Sequence, residues 1–343
     1  MTSLRIIDAG DDSEQWDRLA ASAGGSTLCH LFGWKQIMAD VLGHECLYLA
    51  AADEAGRWRG ILPLVRVRSI LGHFLISVPF LNDGGPIGER EAQQSLVEYA
   101  VAESMRSGAS LLELRAREEL PGPAVPSYRK LAVQLPLPSS LEVLWQRTIR
   151  AKLRSQIRRP TKEGMTFREG VSELDSFYQV FSRNMRDLGT PVLPRSFFER
   201  ASVAFGSALV FATVYASNGL PVAAACCLLW REEIEVTWAS SLREFNHQSP
   251  NMLLYFGLME SAVRRGVRIF NFGRGSPGGN THRFKQQWGG RDVPLPWPSW
   301  AREASAGVPS ADRPFYRLAV VAWRHLPLAV ANRVGPRLAR FLP

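Results

Sequence analysis

One run of elements occurs twice in this chain, and that repeat limits what it can fold into. In the first half, residues 59–67 (Arg-Gly-Ile-Leu-Pro-Leu-Val-Arg-Val) and 74–80 are rich in branched and aromatic side chains and read as paired strands. Residues 91–105 follow with apolar rows at Leu96, Val97, Ala100, Val101 and Met105, the spacing of a helix face. Gly108 closes that helix, and residues 110–115 return as a strand. The second half repeats the order. Strands over 221–230 and 234–241 flank the charged turn Arg231-Glu232-Glu233. A helix over 251–265 carries Leu254, Leu258 and Ala262 on one row, Gly266 stops it, and 267–272 form the next strand. A hairpin feeding a helix that crosses back to another strand lays that helix on a sheet face. Built twice, the pattern predicts an α+β chain of two mixed sheets covered by helices.

Length agrees: 343 residues exceed what one core usually holds. The boundary falls near 135–165, where Leu135-Pro136-Leu137-Pro138-Ser139-Ser140 breaks regular structure and a serine can cap the next helix. The expected division is a first domain over 1–138, a second over 139–300 opening with a basic linking helix at 141–162, and a basic amphipathic tail over 301–343. The linking helix holds Arg147, Arg150, Lys152, Arg154, Arg158, Arg159 and Lys162, with no acid between Glu142 and Glu163. Arg147, Arg150, Arg154 and Arg158 recur every three or four residues and share one helical face, where like charges repel. Arg150, Arg154 and Arg158 are thereby candidate phosphate-binding residues; a merely solvated face is the other reading. In the tail, Phe315, Leu318, Ala319, Ala322 and Trp323 form an apolar side flanked by Arg313, Arg317 and Arg324, and Arg333, Arg337 and Arg340 continue the charge. Such a segment fits a membrane surface, and it equally fits packing onto the domain.

The net charge of +9 points to an anionic partner: nucleic acid, acidic lipid or a phosphorylated substrate. No run of eighteen uncharged apolar residues offers a spanning helix, and the N-terminus reaches Asp8, Asp11 and Asp12 without the apolar core of a signal peptide. The expected location is the cytoplasm, with peripheral contact at the inner membrane face through 313–340. Four cysteines (Cys29, Cys46, Cys226, Cys227) and six scattered histidines show no metal-ligand spacing, so no metal is expected. Neither a Gly-x-Ser-x-Gly elbow, a His-Glu-x-x-His pair nor a P-loop is present.

The chemistry-bearing stretch is Phe270-Asn271-Phe272-Gly273-Arg274-Gly275-Ser276, followed by Arg283-Phe284-Lys285-Gln286-Gln287-Trp288-Gly289. Gly273 and Gly275 can expose backbone N–H groups to an anion, and Arg274 can hold a phosphate or carboxylate. Lys285 stands between Phe284 and Trp288, whose low-dielectric walls strengthen its charge. Lys285 is thus the candidate catalytic residue, placed to stabilise an oxyanion. Phe284, Arg274, Gly273, Gly275 and Trp288 are candidate substrate-binding residues.

These same residues, with Asn184-Met185-Arg186-Asp187-Leu188-Gly189-Thr190-Pro191-Val192-Leu193-Pro194-Arg195-Ser196-Phe197, resemble the Fem-like (FemAB-type) branch of the GNAT-fold acyltransferases, and among them the proteins associated with exosortase and exopolysaccharide loci. The resemblance implies two tandem GNAT-like domains. It implies transfer of an acyl or aminoacyl group to an amine of a cell-envelope precursor, related to peptidoglycan or exopolysaccharide. The donor it implies is an aminoacyl-tRNA or acyl-CoA co-substrate, with no permanently bound cofactor. The family's Phe-Lys pair maps onto Phe284 and Lys285. One departure stands out: the usual glycine-containing pyrophosphate loop is replaced by Leu242-Arg243-Glu244-Phe245-Asn246-His247-Gln248-Ser249-Pro250-Asn251. A non-catalytic scaffold that holds an anionic polymer or membrane surface is the alternative function.

Overall fold

The computed structural model describes residues 4–69, 72–302 and 314–342, with side chains of the last stretch from Leu318 onward. Residues 303–313 of the expected tail, and the side chains of Phe315 and Arg317, lie outside the described residues. The chain divides into two compact units: Met1–Lys130 with Pro294–Leu318 and Pro336–Pro343, and Leu131–Val293 with Ala319–Gly335.

The first unit contains β1 (Arg5–Asp8), α1 (Ser13–Ser22), α2 (Gly33–Asp40), β2 (Glu45–Ala52), β3 (Trp58–Ser69), β4 (Gly72–Ile76), β5 (Ile87–Gly88), α3 (Arg90–Arg106) and β6 (Leu111–Glu113). Its sheet runs β1-β2-β3-β4-β6, closed at one edge by the strand Ser299–Ala301, with β5 also on β3. Every described pairing is antiparallel except β4 with β6, where Phe74, Leu75 and Ile76 face Leu111, Leu112 and Glu113. The apolar row of α3 covers one face, setting Ala92, Leu96, Val97 and Ala100 on Leu49, Leu62, Leu64 and Leu75. The other face packs Tyr48, Ala50 and Ile61 against Trp16 and Phe32. The strand expected over 74–80 stops at Ile76, because Val78 (φ 47°) and Phe80 (φ 71°) leave extended geometry for the left-handed region.

The second unit contains β7 (Lys130–Pro136), α4 (Leu141–Val143), α5 (Ala151–Lys162), β8 (Thr166–Glu169), α6 (Leu174–Leu188), α7 (Arg195–Phe205), β9 (Leu209–Tyr215), β10 (Pro221–Trp230), β11 (Glu233–Ser241), α8 (Pro250–Arg264), β12 (Ile269–Gly275), α9 (Asn280–Gln286) and β13 (Arg291–Leu295). Its sheet runs β13-β7-β12-β11-β10-β9-β8. Strand β7, which the proline linker assigns to the first domain, pairs here with β12. Residues 299–300, which the expected boundary assigns to the second domain, belong to the strand Ser299–Ala301, and it joins the first sheet instead. Strand β10 is buried on both faces from Pro221 to Leu228, which is why it reads as an unbroken run of small apolar residues. Helix α8 lies over one face of this sheet and α6 over the other, an arrangement those small side chains permit.

The basic linking segment is not one helix. After α4 a π-turn spans Leu144–Thr148, and Ile149 (ψ 114°) and Arg150 (ψ 151°) are extended before α5 begins. This break removes Arg147 and Arg150 from the face shared by Arg154 and Arg158. The chain ends in α10 (Pro314–Arg324) and α11 (Leu328–Ala339). Residues 319–335 pack back onto the second unit: Arg186 Nη1 donates to the Leu326 carbonyl at 2.9 Å, and Asn332 Nδ2 to Ser182 Oγ at 3.4 Å.

Candidate active site

In the second sheet β11 and β12 run parallel for three residues only, Glu233–Glu235 beside Ile269–Asn271, and then part. Each strand bulges where they diverge. On β11, Cys226 of β10 faces Trp238 while Cys227 faces Val236, so Thr237 is the extra residue. On β12, Asn271 pairs with Gln134 and Arg274 with Ala132, leaving Phe272 and Gly273 opposite Val133 alone. Gly273 adopts φ 72°, which a side chain at this position would oppose. Bulges of this kind turn peptide groups out of the ladder, and those groups need other partners.

Lys285 is that partner. It lies on α9, 4% exposed, and its Nζ donates to the Gly273 carbonyl at 2.8 Å and the Arg274 carbonyl at 2.7 Å. An ammonium carries three N–H groups. The third has no hydrogen-bond partner among the described residues. Burial pulls the Lys285 pKa down to about 8; the charge of Glu235 on β11 opposes this fall and Arg274 adds to it. The side chain is therefore mostly protonated at neutral pH.

Acidic and amide side chains brace the fork. Glu233 Oε1 accepts from Asn271 Nδ2 at 2.8 Å, and Asn271 Oδ1 accepts the Gly273 N–H at 2.9 Å. The Gly273 N–H is thus already spent inside the bulge, which corrects the expectation that it faces an anion. Glu235, 5% exposed, accepts from Thr237 Oγ1 at 2.8 Å. On α9, His282 accepts the Gly278 N–H at Nδ1 (3.0 Å) and meets Asp292 Oδ1 at Nε2 (2.8 Å), fixing the loop that follows β12.

Of the predicted site residues, the structure brings Lys285, Gly273 and Arg274 together at the fork. Arg274 itself is exposed, and Gly275 pairs with Leu131 in the sheet. Phe284 and Trp288 do not flank the ammonium as open walls. Trp288 is 1% exposed and packs with Phe284, Phe272 and Tyr255, ring centroids 6.2–6.4 Å apart, inside the core beneath α8 and β12. Phe284 sits half-buried on the same aromatic cluster, 5.2 Å from Tyr255. Arg154 is engaged elsewhere: its Nη1 donates to the carbonyls of Trp145, Gln146 and Ile149, closing the open end of the π-turn. Arg158 lies 5.1 Å over the Trp145 ring. Arg150 is exposed at the start of α5.

Glu235, Asn271 and Thr237 escaped the sequence reading. Their signal is alternation: Glu233, Glu235 and Thr237 interleave with the buried Ile234 and Val236, putting acids on one face of an inner strand. The turn between β11 and α8 contains no glycine and forms a 3₁₀ stretch, Arg243–Gln248; Ser249 (φ 60°) and Pro250 then start α8. Pro250 removes one of the N–H groups that a helix N-terminus would offer a pyrophosphate.

Residues 147–286 match the family model of the acetyltransferase (GNAT) domain. No curated protein matches the chain in sequence. Among solved structures, FemX is similar over 92% of this chain and all of its own, at 13% identity and a TM-score of 0.63. A domain described as the C-terminal part of a lysylphosphatidylglycerol synthetase from Agrobacterium fabrum is similar over 86% of this chain and 93% of its own (14% identity, TM-score 0.58). A tandem GNAT protein from the clavulanic acid biosynthesis pathway is similar over 88% of this chain and all of its own (13%, 0.53). The sheet order, the parallel fork and these matches agree on a tandem GNAT fold, with residues 147–286 of the second unit matching the acetyltransferase (GNAT) domain model.

Proposed function

We propose that the second unit transfers an acyl or aminoacyl group to an amine of a cell-envelope precursor, of the peptidoglycan or exopolysaccharide kind. The amine nitrogen attacks the carbonyl carbon of an ester or thioester. A C–N bond forms, the C–O or C–S bond breaks, and the proton shed by the amine ends on the leaving oxygen or sulfur. Negative charge gathers on the carbonyl oxygen in between. The observation that carries the reading is Lys285, held by two carbonyls of the β12 bulge with its third N–H unspent. A fixed, desolvated ammonium needs no reorganisation when the oxyanion appears, which is where a preorganised donor is most effective. Glu235 steadies its charge from β11.

Arg274, exposed at the rim, would anchor an anionic group of the substrate. Phe284 and Trp288 support the helix that carries Lys285 rather than enclose the ligand. The glycine-free turn before α8 favours an aminoacyl ester, such as the end of an aminoacyl-tRNA, over acyl-CoA as donor. The exposed Arg150 would then contact phosphate. An envelope acceptor is in keeping with the likeness to the lysylphosphatidylglycerol synthetase domain, and a tRNA donor with the Fem-like resemblance of the sequence; such a donor would put the reaction at the cytoplasmic side of the membrane.

The test offers purified protein a labelled aminoacyl-tRNA and an acyl-CoA in parallel, with amine acceptors drawn from envelope precursors, and reads amide products by mass spectrometry. Transfer from one donor, lost in Lys285→Ala, is the expected result. Salt-sensitive binding with no product from either donor would instead point to a scaffold.

A further inference from the structure

Helix α11 has two faces of different fate. Its inner face is fixed by packing: Ala331 is buried, Asn332 reaches Ser182, and Gly335 sits so close that an added Cβ would lie 3.1 Å from the Val192 nitrogen. Its outer face carries Val330, Val334 and Leu338, exposed by 42%, 36% and 40%. At 3.6 residues per turn these three span about 80° of arc. Arg333 and Arg337 follow each a short turn behind and lie within about 60° to one side of the same stripe. Phe341 continues the apolar line past the helix end. Arginines beside an apolar stripe, rather than opposite it, are what a lone solvated helix has no use for.

The concentration is local. Of the thirteen large apolar side chains exposed among the described residues, six (Leu318, Val321, Val330, Val334, Leu338, Phe341) fall in this closing segment. The same segment has no acid after Asp312, while Arg324, Arg333, Arg337 and Arg340 are all cationic. We propose that the outward face of α11 seats the protein on an anionic lipid surface. Aliphatic side chains enter the boundary between headgroups and acyl chains, and the arginines extend to lipid phosphates at that depth. A second copy of the chain fits this face poorly, because two-fold pairing would bring Arg333 and Arg337 against their own equivalents. Nucleic acid would satisfy the arginines and leave the aliphatic stripe in water.

The inference does not rest on the transfer chemistry, since lipid binding needs no donor. The experiment is sedimentation of the full chain with vesicles of phosphatidylcholine alone or with phosphatidylglycerol. The protein should partition onto the anionic vesicles, release as salt rises, and stay free of the neutral ones. Arg333→Gln with Arg337→Gln should weaken partition about 30-fold, the combined effect of two near-surface charges. Val334→Asp with Leu338→Asp should weaken it comparably while the circular dichroism spectrum stays that of the parent, because both positions are exposed. Absence of partition onto anionic vesicles, or equal partition of the variants, overturns the proposal. So does a concentration-dependent dimer that the Val334/Leu338 variant abolishes, which would assign the face to a second copy.

Discussion

The two units share a plan: antiparallel strands, a crossing helix, and a parallel pair (β4 with β6, β11 with β12). They differ in what happens to charge beside that pair. In the first unit the loop after β4 and the strand end after β6 are held by satisfied contacts. Arg115, 4% exposed, donates from Nε to Glu113 Oε1 (3.0 Å) and from Nη1 to the Leu81 carbonyl (2.7 Å), and it lies 5.2 Å from the Trp297 ring. Arg117 meets Asp83 at 2.8 Å. His30 meets the Gly85 carbonyl at Nε2 (3.0 Å) and takes the Thr27 N–H at Nδ1 (3.0 Å), so it is a neutral imidazole with both nitrogens used. In the second unit the buried cation uses two N–H groups and keeps one. One fork is locked and the other keeps a donor; a shared topology therefore does not imply a shared task.

The largest expected consequence concerns Lys285. If its spare N–H meets the oxyanion, Lys285→Ala should lower kcat by about 10²–10³-fold, roughly 3–4 kcal/mol of transition-state stabilisation. Donor affinity should change little, since the lost interaction belongs to the transition state. Single-turnover kinetics on the folded variant decide this. Full activity would sink the assignment.

Damage of similar size to the first unit should register as stability rather than rate. Arg115→Met leaves Glu113 and the Leu81 carbonyl without their buried cation. A loss of about 3 kcal/mol in unfolding free energy is expected. With the second fork untouched, kcat per folded molecule should hold. A kcat loss as deep as that of Lys285→Ala would show that the first unit takes part in the chemistry.

The two units should also titrate at opposite ends of the pH scale. Burial lowers the His30 pKa from 6.5 to about 4. The unfolded chain binds the extra proton first, so the stability tied to neutral His30 is complete above pH 6.5 and drains away as pH falls toward 4, on the order of 3 kcal/mol. Thermal melts between pH 7 and 4.5 should reveal this, and His30→Gln should flatten the slope. Lys285 works in the reverse range. Its charged form is lost above pH 8, so the rate should fall about tenfold per pH unit beyond that point. Glu235→Gln removes the charge that opposes the drop and should move this limb to lower pH.

Much of this contrast was legible in the sequence. Both ββαβ runs, the Gly273 turn and the Phe284-Lys285 pair stood out, because local spacing encodes helix faces and tight turns. Partner choice did not. That Arg154 closes a π-turn, that Trp288 belongs to the aromatic core, and that Asn271 takes up the Gly273 N–H all depend on bulges and breaks set by tertiary packing. The continuous helix over 141–162 failed for a related reason. A run of like charges carries no marker for the single extended step at Ile149 and Arg150, which the carbonyls bound by Arg154 stabilise.

The smallest test compares how each unit brings helix and sheet together. Glycine allows close approach in both, on the strand in one and on the helix in the other. A Cβ on Gly60 of β3 would stand 2.8 Å from the Ala92 Cβ and 2.9 Å from the Ile87 carbonyl oxygen. Neither can swing away, since one is a stub on α3 and the other is backbone of β5. A Cβ on Gly257 of α8 would stand 2.6 Å from the ring of Phe167, a half-buried side chain on the sheet-edge strand β8 that can rotate outward. Gly60→Ala should therefore cost about 2–3 kcal/mol and Gly257→Ala about 1 kcal/mol, the two ends of the usual range for overpacking. Calorimetric melts of the two variants give the order directly. The reverse ranking would mean that the helix of the first unit yields more readily than a phenylalanine ring, and that its locked fork stands on a softer layer than the contacts around it indicate.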